Sequence, residues 1–196
     1  MGKMVYSASV MCADLLHLEN DFKSLEAAGC DELHFDIMDG VFVPNFTLGF
    51  DFIKAARGAC SLPCSVHLMV TRPEDYLERF VEAGGATVII HVEACVHAQR
   101  ALAEIRRLGA SPGIAVNPAT PLTKLDYLLD YVDRVLMMTV DPGYAGQRIL
   151  PSAFERVRYC GRRSPTASYR QRSRWTATSP CATRRCSRRR ERRSSC

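Results

Sequence analysis

His34-Phe35-Asp36-Ile37-Met38-Asp39-Gly40 is a short β-rich run that ends on ionisable residues. Alternate residues of a strand share one face, so His34, Asp36 and Met38 point one way while Phe35 and Ile37 point the other. His67-Leu68-Met69 places a second histidine near the end of the next apolar run. Two imidazoles and one carboxylate converging from two strand ends make a candidate divalent-metal site. Mixed nitrogen and oxygen donors suit zinc, iron, manganese or cobalt better than calcium, and three protein ligands with open positions describe a catalytic rather than a structural site. A metal beside a carboxylate suits proton abstraction next to a carbonyl. Asp39 precedes Gly40, where a turn is expected, and is read as structural.

Working outward, the chain repeats one pattern from Val5 to Cys160: a β-rich apolar run, then a longer stretch with helical spacing. This is the signature of βα units and a parallel sheet. Strands are expected near Val5–Ser9, Glu32–Ile37, Ser65–Val70, Ala86–Val92, Gly113–Asn117 and Arg134–Val140. Asp14 is a candidate N-cap before Leu15, Leu18, Phe22 and Leu25, with Gly29 as the stop. Pro73 opens another helix that Gly84-Gly85 ends, Gly109 closes the helix holding Leu102, Ile105 and Leu108, and Pro121 opens the next. Such spacing fits a (β/α) barrel or a doubly wound sheet. Ionisable residues at the C-terminal ends of several strands favour the barrel, whose active sites gather at that rim.

Charge divides the chain. Residues 1–161 carry 14 Lys+Arg against 20 Asp+Glu, whereas residues 162–196 carry 12 Arg against the single Glu191. After Val157 there is no Val, Leu, Ile, Met or Phe, so the basic stretch lacks the branched side chains that a barrel strand or amphipathic helix buries. The expected organisation is a partial barrel of about six βα units over 1–161, and a low-complexity Arg/Ser-rich tail over 162–196, disordered or out of frame. Arg184-Arg185 and Ser187-Arg188-Arg189-Arg190 would neutralise nucleic-acid phosphates, but nothing else in the chain reads bases, so nucleic acid is not the expected partner. No apolar run approaches the roughly 20 residues that span a bilayer, and the Met1-Gly2-Lys3-Met4 opening lacks a secretory signal. A cytoplasmic location and no membrane partner are expected. Nine cysteines, an odd set without Cys-x-x-Cys, favour reduced thiols over disulfides or structural zinc.

Three further features belong to the expected rim. Met38, Met69 and Met138 fall at the ends of the second, third and sixth strands, either as core filling or as a polarizable, water-poor lining for a charged intermediate. Asp141-Pro142-Gly143-Tyr144-Ala145-Gly146-Gln147 spaces two glycines so that backbone N–H groups can approach an anion, although an ordinary turn reads the same way. Ser9 closes the first strand.

With these residues assembled, the chain closely resembles the ribulose-phosphate 3-epimerase family, including its allulose-6-phosphate 3-epimerase branch. The resemblance rests on Ser9-Val10-Met11-Cys12-Ala13-Asp14, His34 through Asn45, His67-Leu68-Met69-Val70 and Met138 through Gln147, over about residues 4–160. It implies a TIM barrel, here incomplete, that interconverts ketose phosphates epimeric at C3 with a divalent metal. It implies that His34, Asp36 and His67 are metal ligands and that Asp36 is also the base. Ser9, His67, Gly143, Tyr144, Ala145 and Gly146 are implied substrate contacts, and Met38, Met69 and Met138 line the intermediate. A ketose phosphate, ribulose 5-phosphate first, is the implied substrate, and a homo-oligomer the implied assembly. The stretch Ser9 to Leu16 with His67 to Pro73 leans toward the allulose-phosphate branch. The family's second acid, an aspartate on strand seven that is also the fourth ligand, has no counterpart here, nor has the rest of its phosphate grip. A non-catalytic remnant is therefore the rival expectation.

Overall fold

The computed structural model describes residues 5–163 of the chain, and the expectations for the basic tail beyond them lie outside the described residues. Strands β1 (Ser7–Ser9), β2 (Glu32–Met38), β3 (Cys64–Met69), β4 (Gly85–His91), β5 (Ser111–Val116) and β6 (Arg134–Met137) form one parallel sheet. The α-helices among the described residues are α1 (Leu18–Ala27), α2 (Phe50–Ala59), α3 (Leu77–Glu82), α4 (Ala98–Arg107) and α5 (Ala153–Arg163). Strand order in the sheet is the order in the chain. A doubly wound sheet reverses direction at a switch point, and none occurs among these six strands, so the architecture is a half-barrel of the (β/α) type.

Strand parity divides the core into two layers. Leu33, Phe35 and Ile37 of β2, with Val66, Leu68, Val88, Ile90, Ile114 and Val116, join Phe22, Ile53, Phe80, Leu102 and Ile105 of the helices in one large cluster. Each fully buried side chain of this kind stabilises the fold by roughly 1.5–3 kcal/mol. The opposite strand faces carry the polar set: Glu32, His34, Asp36, Ser65, His67, Thr87, His91 and Arg134 are all buried. Curvature of the sheet brings β6 within reach of β2. Arg134 donates to Glu32 from Nη1 at 2.6 Å and from Nη2 at 2.8 Å, although the two residues lie 102 apart in the chain.

Helix ends follow local chemistry. Gly29 takes φ +78°, and its N–H donates to the Glu26 carbonyl while Cys30 N–H donates to the Leu25 carbonyl, closing α1 in a Schellman motif. Some boundaries differ from expectation. Asp14 does not cap α1; its carboxylate accepts from the Leu16 N–H at 3.0 Å and lies 3.0 Å from His17 Nδ1, shaping the loop ahead of the helix. Gly85 opens β4 rather than ending α3, and the position must be glycine because a Cβ there would stand 2.8 Å from the Phe80 carbonyl oxygen. Pro121 precedes two 3-10 turns, Leu122–Leu125 and Leu129–Tyr131, that bury Leu125 and Leu129 without a continuous helix. β6 stops at Met137 instead of Val140, though the Met138 N–H still donates to the Val116 carbonyl at 3.2 Å. Six described cysteines (12, 30, 60, 64, 95, 160) are free thiols. No helix among the described residues is long and apolar enough to cross a membrane.

Candidate active site

β2 and β3 run in register, with Asp36 opposite His67 and Met38 opposite Met69. This pairing, together with strand parity, brings His34, Asp36 and His67 to one interior face. One donor atom from each lies within 4.8 Å of the others, and all three residues are buried. His67 Nδ1 is 2.9 Å from Asp36 Oδ1, and Ser9 Oγ donates to Asp36 Oδ2 at 3.0 Å. His34 Nε2 stands 3.4 Å from Asp36 Oδ1 and has no hydrogen-bond partner. A buried ring nitrogen left without a partner is costly, and a cation shared with Asp36 and His67 would satisfy it. The cluster therefore fits a divalent ion.

Electrostatics favour an ionised Asp36 beside a neutral His67. Burial alone would raise the Asp36 carboxyl, but the adjoining His34 and His67 outweigh it and hold the group well below the usual carboxylate range. Burial pulls His67 down to about 4, against the hydrogen bond that its ring donates to Asp36. An ionised carboxylate beside unprotonated imidazoles is the state that ligates metal.

In front of Asp36 lies a cavity of about 50 Å³. Ser9, Asp36, Met38, Met69 and Met138 line it, with residues 141–147 forming one wall. His34 and His67 stand outside its lining, and both nitrogens of His67 are engaged: Nδ1 faces Asp36 and Nε2 lies 2.8 Å from His91 Nε2. Met38 and Met69 pack with Val43, while Met138 packs with Ile89, Ala115 and Leu136. Gly143 and Gly146 adopt φ of +122° and +85°, and Asn45 Nδ2 donates to the Gly143 carbonyl at 2.9 Å, tying the 141–147 loop to the loop after β2. Tyr144 is exposed beside them. Asp39 is occupied in the turn, where its carboxylate accepts from the backbone N–H groups of Val41, Phe42 and Thr71.

A model of the ribulose-phosphate 3 epimerase family matches residues 5–172. The chain belongs to that family. Among its relatives, the chloroplastic ribulose-5-phosphate-3-epimerase of Arabidopsis thaliana is 40% identical over 156 residues, which are 79% of this chain and 56% of the plant protein. The ribulose-phosphate 3-epimerase of Bacillus subtilis is 39% identical over 76% of this chain and 69% of its own length. That of Synechocystis is 40% identical, covering 79% and 68%. The chain thus spans just over half of the plant relative and about two thirds of the bacterial ones. Among solved structures, a mutant tryptophan synthase α-subunit from Pyrococcus furiosus superposes with a TM-score of 0.63 at 14% identity, over 96% of each chain. That likeness shows the fold alone.

Several neighbours in and around this candidate site escaped sequence reasoning. Met11 and Cys12 also line the cavity. His91, fully buried, extends the cluster from β4. Its signal was available, since it sits at the C-terminal end of an expected strand as His67 does.

Proposed function

We propose that the chain acts in metal-dependent 3-epimerisation of a ketose phosphate, with ribulose 5-phosphate and xylulose 5-phosphate as the epimeric pair. The observation that carries this reading is Asp36, which alone of the three clustered donor residues also lines the cavity. His34, Asp36 and His67 would hold a divalent ion, zinc, iron, manganese or cobalt, and its charge would lower the cost of forming an enediolate from a carbon acid.

The remaining tasks fall to the chain's own residues. Asp36 takes the C3 proton of a sugar seated in the cavity and later releases it to solvent. A solvent proton enters the opposite face of the enediolate at C3 to complete the inversion. The Ser9 hydroxyl bonded to Asp36 Oδ2 fixes the direction of the other carboxylate oxygen. Met38, Met69 and Met138 keep the reacting face poor in water, which strengthens every charge interaction there. The substrate phosphate lies along Gly143 to Gly146, where positive-φ glycines let backbone N–H groups approach an anion.

Ribulose 5-phosphate in deuterium oxide tests the proposal through two readouts, deuterium entry at C3 and formation of xylulose 5-phosphate. Both are expected to depend on added zinc, manganese, iron or cobalt. Asp36→Asn should lower deuterium entry by about 10²–10⁴-fold while His34 and His67 still bind metal. Unchanged exchange in Asp36→Asn refutes its role as base.

A further inference from the structure

Behind the proposed ligand His67 runs a line of polar contacts that is buried at the histidines and part-buried at Glu93. His67 Nε2 meets His91 Nε2 at 2.8 Å, and the two rings lie edge to edge, 27° from coplanar with centroids 4.9 Å apart. His91 Nδ1 lies 3.1 Å from Glu93 Oε2. Glu93 Oε1 in turn accepts from the Asn117 N–H at 2.8 Å, which fixes the carboxylate against β5. His91 is completely buried, with the Phe42 ring 4.8 Å away. None of these residues lines the cavity in front of Asp36.

The order of these contacts gives the line a direction. His67 Nδ1, 2.9 Å from Asp36 Oδ1, is the ring nitrogen that faces the proposed ion. A divalent ion there would take the Nδ1 lone pair, so the ring would carry its proton on Nε2 and donate it to His91 Nε2. His91, accepting at Nε2, would carry its own proton on Nδ1 and donate it to Glu93.

We infer that His91 and Glu93 are positioning residues that fix the tautomer and ring plane of His67 so that its Nδ1 lone pair is presented to a divalent ion. The inference rests on the metal reading above, and it assigns the pair a part in affinity without contact to substrate. Partners of this kind behind a ligating histidine typically change metal affinity by about 10–100-fold.

Titration of the full chain with manganese and with zinc, read by calorimetry, tests it together with ¹⁵N spectra of the histidine rings in the zinc-loaded protein. His91→Phe, which keeps the ring volume but offers no acceptor, is expected to weaken both metals by about 10–100-fold. His91→Gln, whose amide oxygen can still accept from His67 Nε2, should recover most of that loss. The spectra of the unaltered protein should show His67 protonated at Nε2 and His91 at Nδ1. Equal affinity in all three proteins, equal loss in both variants, or a zinc-loaded His67 protonated at Nδ1 overturns the inference. An unaltered chain that binds neither metal overturns the metal reading itself, a failure distinct from normal binding with indifferent variants.

Discussion

Arg134→Met removes the cation of a buried pair that holds the open sheet in its curve. Both guanidinium nitrogens of Arg134 bond the Glu32 carboxylate, at 2.6 and 2.8 Å, and Nη1 also donates to Ser65 Oγ at 3.0 Å. Each side chain is only 3% exposed. Removing one partner of such a pair leaves a buried charge without its counter-ion, at a cost of about 3–5 kcal/mol, a large part of the 5–15 kcal/mol that is typical of whole domains. Urea unfolding of the full chain at pH 7, followed by circular dichroism, should show the unfolding free energy falling by that amount. Glu32→Gln combined with Arg134→Met removes both charges and should recover much of the loss. Acidity supplies a sign check. Burial tends to raise the Glu32 carboxyl, but Arg134 outweighs it and holds the group below its ordinary value. The stability from the pair is therefore present above the unfolded carboxylate pKa and lost as pH falls through the folded one. Without Arg134 burial prevails, so Arg134→Met should lose less on acidification than the unaltered chain. If the single variant stays within about 1 kcal/mol of the original, or the double variant is as damaged as the single, a buried ion pair is not what joins β2 to β6.

Gly143→Ala should be strained twice, since the residue has φ +122° and a Cβ would lie 3.2 Å from Val43 Cβ. A cost of about 1–3 kcal/mol at the 141–147 loop should appear chiefly as a higher KM for ribulose 5-phosphate in steady-state kinetics; an unchanged KM detaches the loop from the phosphate. The metal-free chain should also lose stability as pH drops from the ordinary histidine value of 6.5 toward 4. Burial keeps folded His67 neutral down to about 4, so the unfolded chain binds the proton first. His67→Gln should flatten that limb in urea titrations across pH, leaving the carboxylate losses at lower pH in place. A limb as steep as before refutes the assignment.

Much of the fold was legible because periodicity is local. The run His34 to Met38 declares a strand with one chemical face whatever surrounds it, and the βα rhythm predicts parallel strands six times over. Pro121 misled because proline marks a helix start but does not decide whether the following turns close at i+3 or i+4. The extent of β6 was overestimated for a related reason: Val140 has strand propensity, but ladder pairing depends on how far β5 runs beside it.

At the site, composition and spacing alone pointed to His34, Asp36 and His67, since alternation within β2 and the strand-end position of His67 need no knowledge of the other strands. Their common centre depends on register, Asp36 opposite His67, which no single strand encodes. The contacts of Glu32 with Arg134, and of His67 with His91, are tertiary in the strict sense. They join residues up to 102 apart, across a sheet whose described helices pack on one face while buried polar side chains fill the other.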